Sequence, residues 1–172
     1  MIYLKCTNAV LRHIRLRKDG LETASPSPAV FGNWYVNLFP VDGRIAFLYM
    51  SERTFLSFIL MEGMKIDAAR LSGAFIGGLA QVLAIESYSE LTIDRVVADY
   101  EQGMFAHSRD ASDLGSLTNL IQDYRGAIDD EGGLVRCDIG RIIMMINRRP
   151  NKRLGWHTPL EMTAQLLDSA AT

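Results

Sequence analysis

Between residues 34 and 60 the chain changes period. Trp34-Tyr35-Val36-Asn37-Leu38-Phe39, Arg44-Ile45-Ala46-Phe47-Leu48-Tyr49-Met50 and Thr54-Phe55-Leu56-Ser57-Phe58-Ile59-Leu60 are apolar, aromatic-rich runs divided by short polar turns. Runs of this composition suit a pleated, buried surface and read as strands. Asp42-Gly43 between the first two is a hairpin signal, because both residues tolerate positive φ. Three consecutive strands joined this way predict an antiparallel meander. Alternation then has to bury one set of side chains and expose the other, with the aromatics expected against the helix that follows.

That helix is predicted over residues 65–86. Gly73, Gly77 and Gly78 interrupt it, each at a cost of about 1 kcal/mol against alanine, so close packing is expected to compensate. Its most apolar stretch, from Leu71 to Ile85, is too short to span a bilayer and reads as a buried core helix. Elsewhere the pattern predicts a short strand over 2–6, a helix over 9–17 capped by Thr7 or Asn8, and a Ser-Pro loop over 19–30. Beyond the central helix it predicts helices over 90–98, 113–128 and 135–147 and a strand over 102–107. Thr158-Pro159 opens the last helix, a cap followed by proline at the first helical position. The reading is a single α+β domain over residues 1–172. Its sheet is an antiparallel meander of about four to five strands, with helices packed on one side.

Composition bounds function without naming it. With 48% hydrophobic and 22% charged residues, the chain has the makeup of an ordinary folded domain. Cys6 and Cys137 are far apart and form no metal-type spacing, so both are expected reduced and at least partly buried, in a cytoplasmic protein. No leader-like apolar stretch opens the sequence.

Charge is segregated. Residues 1–18 carry five bases and no acid, residues 86–131 sum to −8, and residues 136–153 sum to +5. If the two basic segments fold beside each other they make one positive face, which attracts nucleic acid or an acidic protein partner. The run Arg148-Arg149-Pro150-Asn151-Lys152-Arg153-Leu154-Gly155-Trp156 mixes cations with an aromatic, which suits phosphate contact and base stacking as well as a solvated loop.

Two further constellations stand out. In Ser51-Glu52-Arg53-Thr54, Glu52 and Arg53 pair an acid and a base at a strand connection, where sites often lie; a polar turn is the alternative. In His107-Ser108-Arg109-Asp110, followed by Asp113, Ser116, Asn119 and Asp123, helical spacing puts Ser116, Asn119 and Asp123 on one face. Arg109 with the first N–H groups of that helix is a candidate anion site; a capped, solvated helix is the alternative. No metal site and no cofactor is expected, since a single histidine without a second ligand motif is weak and no nucleotide-type glycine loop occurs.

Two resemblances attach to these residues. Lys5-Cys6-Thr7, Trp34-Tyr35-Val36-Asn37-Leu38, Ser51-Glu52-Arg53-Thr54, and Ser108-Arg109 with Leu114-Gly115-Ser116-Leu117-Thr118-Asn119 occur in one order along most of the chain. Together they resemble an uncharacterised family of small bacterial proteins, a domain of unknown function. That family favours Asn-Glu before Arg/Lys-Thr, and Asn-Arg-Ser followed by Gly-Ser-Met-Asn-Asp. Here Ser51 replaces the first Asn, Ser108 stands in the second, and Leu117-Thr118-Asn119 shifts the last. The resemblance implies a fold type and no activity. Separately, Asn147 to Glu161 is similar to the tail of integrase-type transposases, a basic Arg-Pro segment before Leu-Gly-aromatic and a Thr-Pro helix start. The acidic triad of those enzymes belongs to a ribonuclease-H-like sheet with parallel strands. The meander expected here differs, so the match reads as convergence on a loop-to-helix connection.

The function expected is a non-enzymatic intracellular binding or regulatory protein, of the kind found in bacterial accessory systems such as toxin–antitoxin or phage–host conflict. The alternative is a nucleic-acid-acting or nucleotide-handling enzyme with Glu52, Arg53, Arg109 and Asp123 as catalytic candidates. Binding candidates are Ser108, Arg109, Asn119, Arg149, Lys152, Arg153 and Trp156. Convergence of the four catalytic candidates in one cleft favours the enzyme; scatter favours the binder.

Overall fold

The computed structural model describes residues 1–63 and 65–171. Five strands, β1 (Tyr3–Cys6), β2 (Trp34–Val41), β3 (Arg44–Ser51), β4 (Ser57–Met61) and β5 (Met104–His107), form one sheet in the order β4-β3-β2-β1-β5. Asp42 and Gly43 both take positive φ, +46° and +73°, and close the β2–β3 hairpin with Val41 opposite Arg44.

The sheet is mixed, which corrects the antiparallel expectation. β2, β3 and β4 run antiparallel, but β1 pairs parallel with β2 on one side and β5 on the other. Parallel neighbours need a crossover, and the helix and long loop after β1 supply it. The expectation of helices on one side is corrected too. Tyr49 and Phe58, paired across β3 and β4, stack on each other and on Phe75 of α2 (Ala68–Ile85). Met50 and Ser57, one residue along, point the opposite way, where Ser57 meets Tyr124 of α4 (Ala111–Asp130) and Asn147 of α5 (Ile139–Asn147). Adjacent strand residues face opposite sides, so helices cover both faces. This explains why residues 46–51 of β3 are buried without a break.

α1 (Asn8–His13) lies on the α2 face, with His13 edge-on to Phe47. It stops short of residue 17 because Arg15 takes φ +58° and turns the chain. On α2, Leu71, Phe75, Leu79, Val82 and Leu83 recur at helical spacing and face the sheet; this helix is long and apolar enough to cross a membrane by length and composition, and it buries one stripe against the sheet. Of its glycines only Gly78 meets a neighbour. A Cβ there would stand 2.4 Å from the Phe58 ring, whereas Gly73 and Gly77 face open space. α3 (Glu90–Ala98) leads through Tyr100 to β5, and Tyr100 joins the aromatic cluster around Trp34 and Phe75. α6 (Pro159–Ala171) closes the fold. Both cysteines are free thiols, Cys6 buried and Cys137 partly so, and burial raises the pKa of both.

Candidate binding site

α4 crosses one face of the sheet, burying Leu117, Tyr124 and Ile128 along one stripe. Asp110 caps it by accepting from the Ser112 and Asp113 N–H groups. The flank of α4 beside that stripe carries Asp113, Ser116, Asn119 and Asp123. Across from it, α5 ends at Arg148, and Pro150 and a 3-10 turn over Lys152–Leu154 bring the chain back. Asn151 braces this turn: its side chain accepts from the Arg153 N–H and its carbonyl from the Trp156 N–H. Gly155 and Trp156 both take positive φ, +63° and +69°. That conformation is strained for a bulky residue.

Between the two walls lies a cleft of about 430 Å³. Phe55, Leu120 and Ile146 give it an apolar floor, and Ser116, Asn119, Asp123, Arg149, Asn151 and Arg153 give it polar walls. Arg153 donates to Ser116 Oγ at 2.6 Å, reaches Asp113 Oδ1 at 3.4 Å and stands 5.0 Å over the Phe55 ring. Arg149 faces Asp123 Oδ1 at 3.5 Å.

A smaller cleft of about 150 Å³ opens beside the carboxyl ends of β1 and β5. Lys5, Tyr35, Ser108, Arg109, Asp110 and Asp113 are among its walls. Lys5 lies opposite Tyr35 in the parallel register, donates to Glu52 Oε1 at 2.6 Å and sits 4.9 Å over the Tyr35 ring. Tyr35 donates to Asp113. Burial, then Asp113, raises the Tyr35 pKa well above the usual phenol. The His107 pKa is lowered by burial and by the nearby Arg109 and Lys18 cations, which keeps the ring neutral and lets Nδ1 accept from Arg109 Nε at 3.2 Å.

The sequence-derived candidates therefore divide. Asn119, Asp123, Arg149 and Arg153 line the larger cleft, and Ser108 and Arg109 the smaller one. Glu52 and Arg53 line neither. Glu52 holds Lys5 and the Asn33 N–H; Arg53 donates to the Ser27 and Val30 carbonyls and pins the preceding loop. Ser51 organises the rest of that connection, accepting from the Arg53 and Thr54 N–H groups and donating to the Phe31 carbonyl. The four catalytic candidates do not share a cleft. Lys152 is exposed and lines neither; Trp156, 66% exposed, stands outside both. Lys5, Tyr35 and Asn151 escaped sequence reasoning. The first two meet only through a parallel pairing that no local pattern announces.

The two basic segments also part company. α1 sits on the α2 face, while Arg149 and Arg153 reach α4 on the other. Arg148 is held at the rim by Glu86, at 3.2 Å. One continuous positive face does not form from them.

The chain belongs to the family described as a domain of unknown function, DUF6933, which it matches over residues 3–162. No curated protein matches it in sequence. Among solved structures it is similar to the catalytic core domain of BIV integrase, with a TM-score of 0.55 and 11% identity, over 81% of this chain and 97% of that one. At that identity the likeness is one of fold. It covers far more of the chain than the tail segment, and the sheet holds the parallel strands that the expected meander lacked. Among the described residues, no three of His, Cys, Asp and Glu come together in a way that could hold a metal ion.

Proposed function

We propose that this chain is a non-enzymatic binding or regulatory protein of the bacterial cytoplasm, and that its working surface is the cleft between α4 and α5, which receives an acidic segment of a partner protein. One observation carries the reading: Arg149 and Arg153 line the same cleft, above an apolar floor. Each is roughly half exposed, at 48% and 44%, and each pairs with its aspartate at 3.4–3.5 Å. The Arg149–Asp123 pair, half exposed on both sides, contributes about 0–1 kcal/mol, so a partner's carboxylate can replace Asp123 there at little cost. Guanidinium forks match carboxylates in bidentate fashion, and the apolar floor takes the side chains between them. A nucleic acid would call for a continuous basic track, and α1, which carries Arg12, packs on the other face of the sheet.

Fluorescence anisotropy with a labelled Glu-rich peptide and, separately, a single-stranded oligonucleotide tests this at about 50 mM and about 200 mM salt. The peptide is expected to bind, and Arg149→Ala with Arg153→Ala to weaken it roughly tenfold or more. Tighter binding of the oligonucleotide, falling steeply with salt, would point to nucleic acid instead. An affinity for the peptide unchanged in the double variant would reject the cleft.

A further inference from the structure

The turn that ends α1 is built of cations. Its last carbonyls are taken by the main chain: the Ile14 N–H donates to Val10, the Leu16 N–H to Leu11 at 2.9 Å and the Arg15 N–H to Arg12 at 3.2 Å. This is the helix stop that most often places glycine at its residue of positive φ. Here that residue is Arg15, at φ +58°. An arginine is strained in this conformation and a glycine is not. The turn already satisfies the carbonyls, so no cation is needed to cap them.

Arg15 is one of four. Arg12, Arg15, Arg17 and Lys18, all exposed, line one open cleft of about 750 Å³, with Leu11 and Leu16 as its apolar part and Asp19 as its acid. Among the described residues, none of the four cations takes part in an ion pair. The neighbouring bases differ: His13 meets Glu62 at 3.0 Å and Lys5 meets Glu52 at 2.6 Å. Like charges gathered without acids repel one another, and an anion bound among them offsets both the repulsion and the strain. Four cations against Asp19 leave a formal charge of +3. A lone phosphate group carries at most about −2, whereas linked phosphates bring more charge and offer acceptor oxygens to several guanidinium forks at once. The patch is local on a chain of net charge −2, and it does not continue to Arg149 and Arg153 on the other side of the sheet. It therefore suits a compact ligand, and its volume falls in the range of about 300–1,000 Å³ that small-molecule sites occupy.

We infer that this cleft binds a run of linked phosphates, either free or as the triphosphate of a nucleotide, held by Arg12, Arg15, Arg17 and Lys18. The site is separate from the Arg149–Arg153 cleft, so it stands or falls independently of the acidic-partner reading.

Isothermal titration of the full chain with tripolyphosphate and with ATP tests it, with orthophosphate and adenosine as partial probes. Tripolyphosphate and ATP are expected to bind, and each partial probe to bind at least about tenfold more weakly. ATP binding more than about tenfold tighter than tripolyphosphate assigns the nucleotide; equal affinities assign the phosphate run alone. Arg15→Gly is the decisive variant, because it relieves the turn while removing the cation. It should melt at a higher temperature than the parent and bind tripolyphosphate about tenfold more weakly. An arginine that served only the turn would give the higher melting temperature with binding unchanged. Lys152→Ala removes the same charge from outside the cleft and should leave binding as it is. The proposal is overturned if neither tripolyphosphate nor ATP binds, if orthophosphate binds as tightly, if Arg15→Gly binds like the parent, or if Lys152→Ala weakens binding as much as Arg15→Gly does.

Discussion

Asn147 does for the outer edge of β4 what another strand would do. β4 ends the sheet, and its Ser57 peptide points outward. The buried Asn147 amide accepts from the Ser57 N–H at 2.9 Å and donates to the Ser57 carbonyl at 2.7 Å and to the Ile143 carbonyl at 2.8 Å. A side-chain amide thus closes an edge that would otherwise invite another chain. Asn147→Ala leaves the buried Ser57 N–H and carbonyl unpaired, and should cost roughly 3 kcal/mol in urea unfolding. An effect below about 1 kcal/mol would mean that water replaces the amide. Asn147 also borders the larger cleft, so the edge closure and the site share one residue.

Among the elements, α2 is the sharpest test of how the layers fit. The Phe58 ring fills the notch over Gly78, so Gly78→Ala should destabilise by about 1–3 kcal/mol through overpacking. Gly77 faces open space, so Gly77→Ala should stabilise by up to about 1 kcal/mol through helix propensity. Equal effects of the two in thermal melts would contradict the packing. The element sequence was largely legible: the hairpin at Asp42-Gly43, the strands of 34–60 and the helices after them follow from period, turns and caps. Sheet order was not. A four-residue β1 says nothing of its partners, and its parallel pairing with β2 and β5 joins segments about 30 and 100 positions away. The second helical layer left one trace. The unbroken apolar run Ile45 to Met50 departs from the alternation that a one-sided sheet needs, and two-sided burial is its cause. For the site, helical spacing united Ser116, Asn119 and Asp123 correctly, whereas pairing α1 with the 148–153 loop relied on charge alone, and charge does not choose a face.

For the whole molecule, the aromatic core ties stability to alkaline pH. Burial pushes the Tyr100 pKa up to about 12 from an ordinary 10.0, and moves Tyr49 and Tyr124 further in the same direction. Tyr100 keeps its hydroxyl on the Phe31 N–H and the Gly32 carbonyl. A folded-state pKa above the unfolded one means that the contribution is fully present below about pH 10 and is lost as pH rises through about 12. Urea midpoints should therefore fall over that window; Tyr100→Phe should lower stability at neutral pH, by about 1–3 kcal/mol, and flatten part of the alkaline fall. A midpoint independent of pH across the window would contradict the burial of these phenols. The proposed partner surface is the cleft between α4 and α5. The most direct measurement is an amide-resolved NMR titration of the full chain with a Glu-rich peptide. Shifts are expected to concentrate in Asp113, Ser116, Asn119 and Asp123 of α4 and in Arg149, Asn151 and Arg153 opposite, with α1 unmoved; shifts centred on α1, or none at any site, would contradict a partner surface in this cleft.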